Sequence, residues 1–376
     1  MNANERKQRF PAVLILAILF AAIPAAAQTP RVSNAKMENR SAAGGLAPAF
    51  QSIVGSQTSP SWIGYAVPSV SGDRQMCCFD SYGNNSDGNN GCGVCRLEKS
   101  SGDFTMDNRE PGGSGGGAVK LEGPRNIFVI FRVSEKRVEK IRTFSDDCQL
   151  DVGGLPFIWL TGAPAAESVA LLAPFAQQAP DGDSSHGDRV SQQALAAIAL
   201  TGDPAADKAL ESFVTPNQPE RLREKTAFWL GSARGKVGYE ILKRMAHDDP
   251  SDRVREKVTF ALSVSHQPEA VEEMIRMAKN DSSSRVRSQA LFWLGQKAGK
   301  KAVAAITDAI ENDPETEVKK KAVFALSQLP KDEAVPKLIE VAQSNRNREV
   351  RKQAMFWLGQ SSDPRALAFF ENVLEH

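Results

Sequence analysis

Charge of one sign is what this sequence lacks. Lysine and arginine number 46 against 45 aspartate and glutamate, a formal net charge of +1. A nucleic-acid binder carries a basic excess that displaces counterions from phosphate, and a membrane-surface protein carries a polybasic segment, so neither class fits. Histidine is scarce. His186, His247, His266 and His376 are the four in the chain, and none stands at metal-ligand or triad spacing from Glu or Cys. No segment beyond the N-terminus has the run of about 20 apolar residues that spans a bilayer. Cysteine is absent from the whole second half. These absences leave no catalytic residue and no cofactor to name, and no nucleic acid or stable membrane insertion to expect.

What is present begins with a targeting signal. Arg6, Lys7 and Arg9 precede an apolar run from Ala12 to Ile23, which Pro24 breaks before Ala25, Ala26 and Ala27. The charged, apolar, A-x-A order is that of a secretory signal peptide over 1–27, cut after Ala27. Gln28 rather than cysteine follows the cut, so no lipoprotein signal is present. The mature chain is expected in the periplasm or outside the cell. Residues 28–59 are rich in Ala, Ser, Gly and Pro and read as a flexible linker.

Residues 60–162 read as a small cysteine-containing β-rich domain. Short runs at Trp62 to Val67, Asn126 to Val133, Arg137 to Phe144 and Pro156 to Leu160 suit strands, and the middle two read as a hairpin. All five cysteines fall here: Cys77, Cys78, Cys92, Cys95 and Cys148. In an oxidising compartment the default is a disulfide framework with one thiol left over. Zinc held by the Cys77-Cys78 and Cys92/Cys95 pairs, or a redox Cys92-x-x-Cys95, stays open as the alternative. Asp80 to Gly91 lacks the register of a calcium loop, and Gly112 to Gly117 lacks the Lys-Ser/Thr of a phosphate loop.

The second half is periodic. LREKTAFWLG from Leu222, VREKVTFALS from Val254, VRSQALFWLG from Val286, VKKKAVFALS from Val318 and VRKQAMFWLG from Val350 start 32 residues apart, and a degenerate copy starts at Val190. A fixed period of this size marks a helical repeat array. In each copy the residues at positions 0, 4 and 8 are apolar on one helical face. Position 7 alternates Trp229, Ala261, Trp293, Ala325 and Trp357. We read the three tryptophans as core, each large ring set against a small residue of the next layer; an aromatic binding strip is the alternative. A second helix follows in each copy, with a buried stripe through Leu210, Leu242, Met274, Ile306, Leu338 and Phe370. Asp249, Asp281 and Asp313 stand five residues before the Val of the next copy, where helices stop and start. Residues 163–376 thus read as a capping helix (Ala165 to Gln178) and six repeats starting near 190, 222, 254, 286, 318 and 350. The fold class is α+β multidomain: a C-terminal all-α superhelical solenoid behind a β-rich domain.

The pattern Asp-Pro-x-x-x-Val-Arg-x-x-Ala-x-x-Ala-Leu-Gly resembles the short HEAT-like repeat of phycobilisome lyases. The resemblance covers about half the chain. It implies an antiparallel helix pair per copy in a curved right-handed, armadillo-like stack. It also implies a structural ladder, in which Arg223, Arg255, Arg287, Lys319 and Arg351 bond the turn aspartates.

A stacked solenoid presents one helix of every pair as a continuous surface. On the second helices the solvent stripe carries Glu240, Arg244, Glu272, Arg276 and Lys279, then Asp308, Glu311 and Glu340. Its charge changes sign along its length, which suits an extended, bipolar protein segment. The expected function is an exported interaction or scaffold module, and not an enzyme. The alternative is a lyase-like, thiol- or metal-dependent enzyme working from the cysteine domain. Phe369 and Phe370 close the array with little polar cover, an apolar end able to stack on a second copy.

Overall fold

A computed structural model describes residues 29–70, 94–98, 125–178, 185–297 and 299–375. The signal segment, both glycine-rich loops and Cys77, Cys78 and Cys92 lie outside these residues. The first region contains β1 (Arg31–Ser33), β2 (Lys36–Ser41), α1 (Leu46–Ser56), β3 (Ser61–Pro68), β4 (Val94–Arg96), β5 (Asn126–Ser134), β6 (Arg137–Ser145), β7 (Gln149–Asp151) and β8 (Pro156–Thr161).

Five strands form one sheet in the order β2-β8-β3-β5-β6. β8 lies parallel to both β2 and β3, while β3, β5 and β6 run antiparallel. The expected hairpin is β5–β6. Its turn residues Glu135 and Lys136 have φ of +50° and +59°, the left-handed pair that matches the right-handed twist of the strands. β3 and β5 are apolar on both sides because both faces of the sheet are covered. Ile63, Tyr65, Val129 and Phe131 point into the core shared with the helices. Trp62, Phe128, Ile130, Phe157 and Trp159 point the other way, into a second cluster with Leu150 and Val152. The small all-parallel sheet β1-β7-β4 supplies part of that cluster.

Residues 28–59 are therefore no flexible linker. β1, β2 and α1 belong to the β-rich region, which begins near residue 31 instead of 60. α1 folds because Leu46, Phe50 and Ile53, spaced i, i+4, i+7, are all buried; the Phe50 ring sits 4.6 Å from that of Phe131. A composition rich in small residues hid this stripe.

α2 (Ala165–Gln177) then leads to six helix pairs: α3 (Ser185–Leu200) with α4 (Pro204–Phe213), α5 (Glu220–Ala233) with α6 (Gly235–Asp248), α7 (Asp252–Val264) with α8 (Glu269–Asn280), α9 (Ser284–Lys297) with α10 (Lys300–Asn312), α11 (Thr316–Ser327) with α12 (Lys331–Ser344), and α13 (Arg348–Gly359) with α14 (Pro364–Glu375). First helices pack on first helices through the stack. Glycine at position 9 permits a close approach in alternate layers. A Cβ on Gly231 would stand 2.1 Å from the Ala261 carbonyl oxygen, and one on Gly295 2.8 Å from that of Ala325.

The two regions are joined. α2 and β6 both pack on α3. Beyond β3, Val70 N–H donates to Leu200 O at 2.9 Å and Gly202 N–H to Pro68 O at 2.8 Å. Sheet and helix α2 together close the N-terminal end of the stack, and one hydrophobic core runs through both regions. No helix among the described residues is long and apolar enough to cross a membrane.

The last pair departs from the expected stripe. Phe369 is 6% exposed while Leu367 and Leu374, which continue the buried columns of earlier copies, are 63% and 86% exposed. With no further helix laid over it among the described residues, α14 buries Ala366 and Phe369 against its neighbours, in columns that α6 buries with Gly238 and Ile241 and α8 with Ala270 and Glu273.

Candidate functional site

The ladder between layers is built from position 1 of each copy. Arg223 donates through Nε and Nη2 to Asp249 at 2.8 and 3.0 Å. Arg255 does the same to Asp281 at 2.9 and 3.0 Å, and Arg287 to Asp313 at 2.8 and 3.2 Å. Each pair is bidentate and largely buried. The same aspartates accept from the backbone N–H of Ser251, Ser283 and Glu315, which fixes the turn into the next copy. The fourth rung differs. Asn345 stands in the aspartate column, and Lys319 donates to the Glu311 carbonyl instead. Arg351 donates to the carbonyls of Asn345 and Arg346. These side chains tie layers together and are spent in doing so.

The charged stripe on the second helices is cross-linked between layers. Arg244 pairs with Glu211, Glu272 with Lys301, and Lys279 with Asp308 at 3.1 Å. Glu311 accepts from Asn345 Nδ2 at 2.9 Å, and Glu340 pairs with Lys337 at 2.9 Å. Arg276 folds back on Glu273, whose side chain is 5% exposed. Glu240 is exposed. The row expected to change sign along its length is thus a set of short-range pairs with both signs side by side.

What shapes this face is missing volume. α10 presents Ala304, Ala305 and Ala309 outward, between the longer chains of α8 and α12. A groove of about 710 Å³ opens over α8 and α10, lined by Glu272, Ile275, Lys279, Lys301 and Asp308 among others. A second, of about 450 Å³, continues over α10 and α12 past Thr307, Glu311, Glu333 and Lys337. Ala304, Asp308 and Asn312 line both, so the two form one trough. Asp308 stands in its middle. A hydrogen bond from Asn312 and the ammonium of Lys279 hold its carboxyl below the usual range, so it stays ionised.

The first helices hold what the sequence reading missed. Position 6 is phenylalanine in all five regular copies: Phe228, Phe260, Phe292, Phe324 and Phe356. None belongs to the buried core, and Phe228 and Phe356 are 38% and 54% exposed. Trp229, Trp293 and Trp357 are only partly buried against the core. The three tryptophans expected in the core pack against it from its margin. Position 7 lies at the edge of the buried stripe, where Trp293 meets Phe260 of the preceding layer at 4.9 Å and Trp357 meets Phe324 at 5.1 Å. The indole nitrogens of Trp293 and Trp357 are buried without a hydrogen-bond partner, so packing alone sets these rings. An invariant aromatic outside the apolar periodicity was the signal available in the sequence.

In the β-rich region Cys95 and Cys148 are buried in the second cluster, at 2% and 0% exposure. Among the described residues no group of three or more His, Cys, Asp and Glu is placed to hold a metal ion.

A family model for HEAT repeats matches residues 271–355 and 303–376. The helical repeats over residues 271–376 are HEAT repeats. No curated protein matches the chain. Among solved structures, the complex of the two subunits of a Nostoc phycocyanin lyase is similar at 25% identity, over 42% of this chain and 100% of that one, with a TM-score of 0.32. Human deoxyhypusine hydroxylase is similar at 18% identity, over 55% and 77%, with a TM-score of 0.29. Computationally designed armadillo repeat proteins for modular peptide recognition are similar at 16% identity, over 53% and 99%, with a TM-score of 0.28. At these TM-scores the likenesses carry no argument about function. A HEAT solenoid is in general a frame for protein partners.

Proposed function

We propose that this protein is an exported scaffold that grips an extended segment of a protein partner in the trough over α8, α10 and α12, and that it binds rather than catalyses. The trough carries the reading. Its floor is alanine, which admits a backbone closely, and both signs of charge stand on its rim within reach of one short segment. A bipolar segment would exchange the existing surface pairs for its own, and exposed pairs of this kind are worth about 0–1 kcal/mol each. Export rests on the order of Arg6, Lys7 and Arg9, the apolar run and Ala25 to Ala27, with periplasmic or extracellular residence following. In that compartment the cysteines close disulfides. The burial of Cys95 and Cys148 supports their being bonded members.

The test is in-cell photo-crosslinking from position 307, on the trough wall, followed by mass spectrometry. One stoichiometric envelope protein is expected, and it is lost when Ala304→Trp fills the trough. Ala304 is exposed, so the substitution leaves the core intact. Crosslinking that ignores Ala304→Trp, or no crosslinked protein, removes the reading.

A further inference from the structure

The first helices carry an unbroken band of rings on their solvent side. Phe228 stacks on Phe260 at 6.0 Å, and Phe260 meets Trp293 at 4.9 Å. Trp293 meets Phe292 at 4.8 Å, and Phe292 stacks on Phe324 at 6.1 Å. Phe324 meets Trp357 at 5.1 Å and Trp357 meets Phe356 at 5.0 Å. The band crosses α5, α7, α9, α11 and α13. Core burial does not account for it. The buried residues of α7 are Val254, Val258, Thr259, Ala261, Leu262 and Ser263, and those of α11 are Val318, Ala322, Val323, Ala325 and Leu326; the phenylalanine is in neither set. A contiguous, half-exposed apolar surface kept in five successive layers is what a contact surface requires.

The charge beside the band is of one sign. Three residues before the phenylalanine, on the same helical face, stand Lys257 and Lys321, both exposed and without an ion pair to any described residue. The nearby carboxylates are neutralised: Arg253 holds Glu224 at 2.7 Å and Arg285 holds Glu256 at 2.8 Å. The surface is therefore aromatic and cationic, where the trough on the second helices is small-floored and mixed in charge.

We propose that this first-helix face docks an acidic, amphipathic protein segment, whose apolar side chains lie on the ring band and whose carboxylates reach Lys257 and Lys321. Two layers separate the lysines, about 20 Å at the usual 8–10 Å between packed helices. That distance takes about six residues of extended chain at 3.3 Å each. Two unpaired lysines are too few for the counterion release that holds nucleic acid. The proposal does not depend on the trough, which faces away on the other helix of each pair.

The probes are two fluorescein-labelled peptides of matched length and apolar content, one Glu/Phe and one Lys/Phe, titrated by anisotropy into the full mature chain at low salt. The Glu/Phe peptide is expected to bind about tenfold or more tightly than the Lys/Phe peptide. The Lys257→Glu, Lys321→Glu double variant, altered at two exposed sites, is expected to reverse that preference. A photo-crosslinker at Gln289, between the two lysines, should label the Glu/Phe peptide, and one at Thr307 should not. Equal binding of both peptides overturns the proposal. So does a preference that survives the double charge reversal, or labelling from Thr307 instead of Gln289. Failure of the trough's own crosslink would leave these readouts unchanged, so the two ideas fail separately.

Discussion

The sheet and the repeat stack bury side chains equally well but over different lengths of chain. In the stack, partners are near in sequence: Arg223 reaches Asp249 and Arg287 reaches Asp313, 26 residues on. In the sheet, β2 pairs with β8, Lys36 opposite Pro156 and Ser41 opposite Thr161. The stack grows by adding layers, and each layer depends on its neighbours alone. The sheet closes only when both ends of a long segment are in place, at the entropy cost of that loop. The difference predicts how each region responds to damage.

The largest effect should come from the sheet. Phe50→Ala removes a ring buried between α1 and β5, an expected loss of about 3–5 kcal/mol. Chemical denaturation followed with hydrogen exchange should show protection lost from β2 through β8 together. A small, local loss confined to α1 would return residues 28–59 to the status of a linker. In the stack, Arg223→Ala strands the buried Asp249 carboxylate, at an expected cost of about 3–5 kcal/mol. Arg351→Ala breaks only bonds to backbone carbonyls on a partly exposed rung, so a loss of about 1 kcal/mol is expected. Equal losses at the two positions would break the account of the ladder.

One substitution at one repeat position should give opposite signs. Gly231→Ala places a methyl against the Ala261 carbonyl and should destabilise by about 1–3 kcal/mol. Gly359 has Phe370 at 4.0 Å as its nearest neighbour, so Gly359→Ala should be neutral or stabilising by up to about 1 kcal/mol through helix propensity. Thermal melts of the two variants decide this. The smallest effect concerns acid. Arg365 beside Asp363 lowers its carboxyl to about 2. A depressed carboxylate stabilises the fold above its unfolded pKa, and the contribution disappears as pH falls toward 2. Exchange protection at the start of α14 should weaken between about pH 4 and 2, and Asp363→Asn should flatten that dependence.

The two faces of the stack show how legible a surface was. The second-helix residues were placed on solvent from periodicity, and they lie there, yet their pairing across layers was not readable. Whether Lys279 meets Asp308 depends on the register between α8 and α10, which no single helix encodes. The first-helix phenylalanines were plain in the letters, repeated five times, but a rule that sends aromatic residues to the core passed over them. Cys95 and Cys148 were named, while their burial beneath the sheet rests on a β4–β7 pairing that brings Val94 beside Gln149.

By itself the sequence determined the repeat, its 32-residue phase, the helix pair within it, the aspartate turns, and the β5–β6 hairpin. All of these are local: their periodicities and turn residues act over one or two elements. Tertiary structure alone decided that residues 31–56 join the β-rich region, that β8 slots between β2 and β3, and that the alanines of α10 open a trough. It also decided that the rings at positions 6 and 7 touch from layer to layer. These features arise where elements distant in sequence, or successive layers, meet at a set distance and angle, and side-chain packing between them selects that geometry.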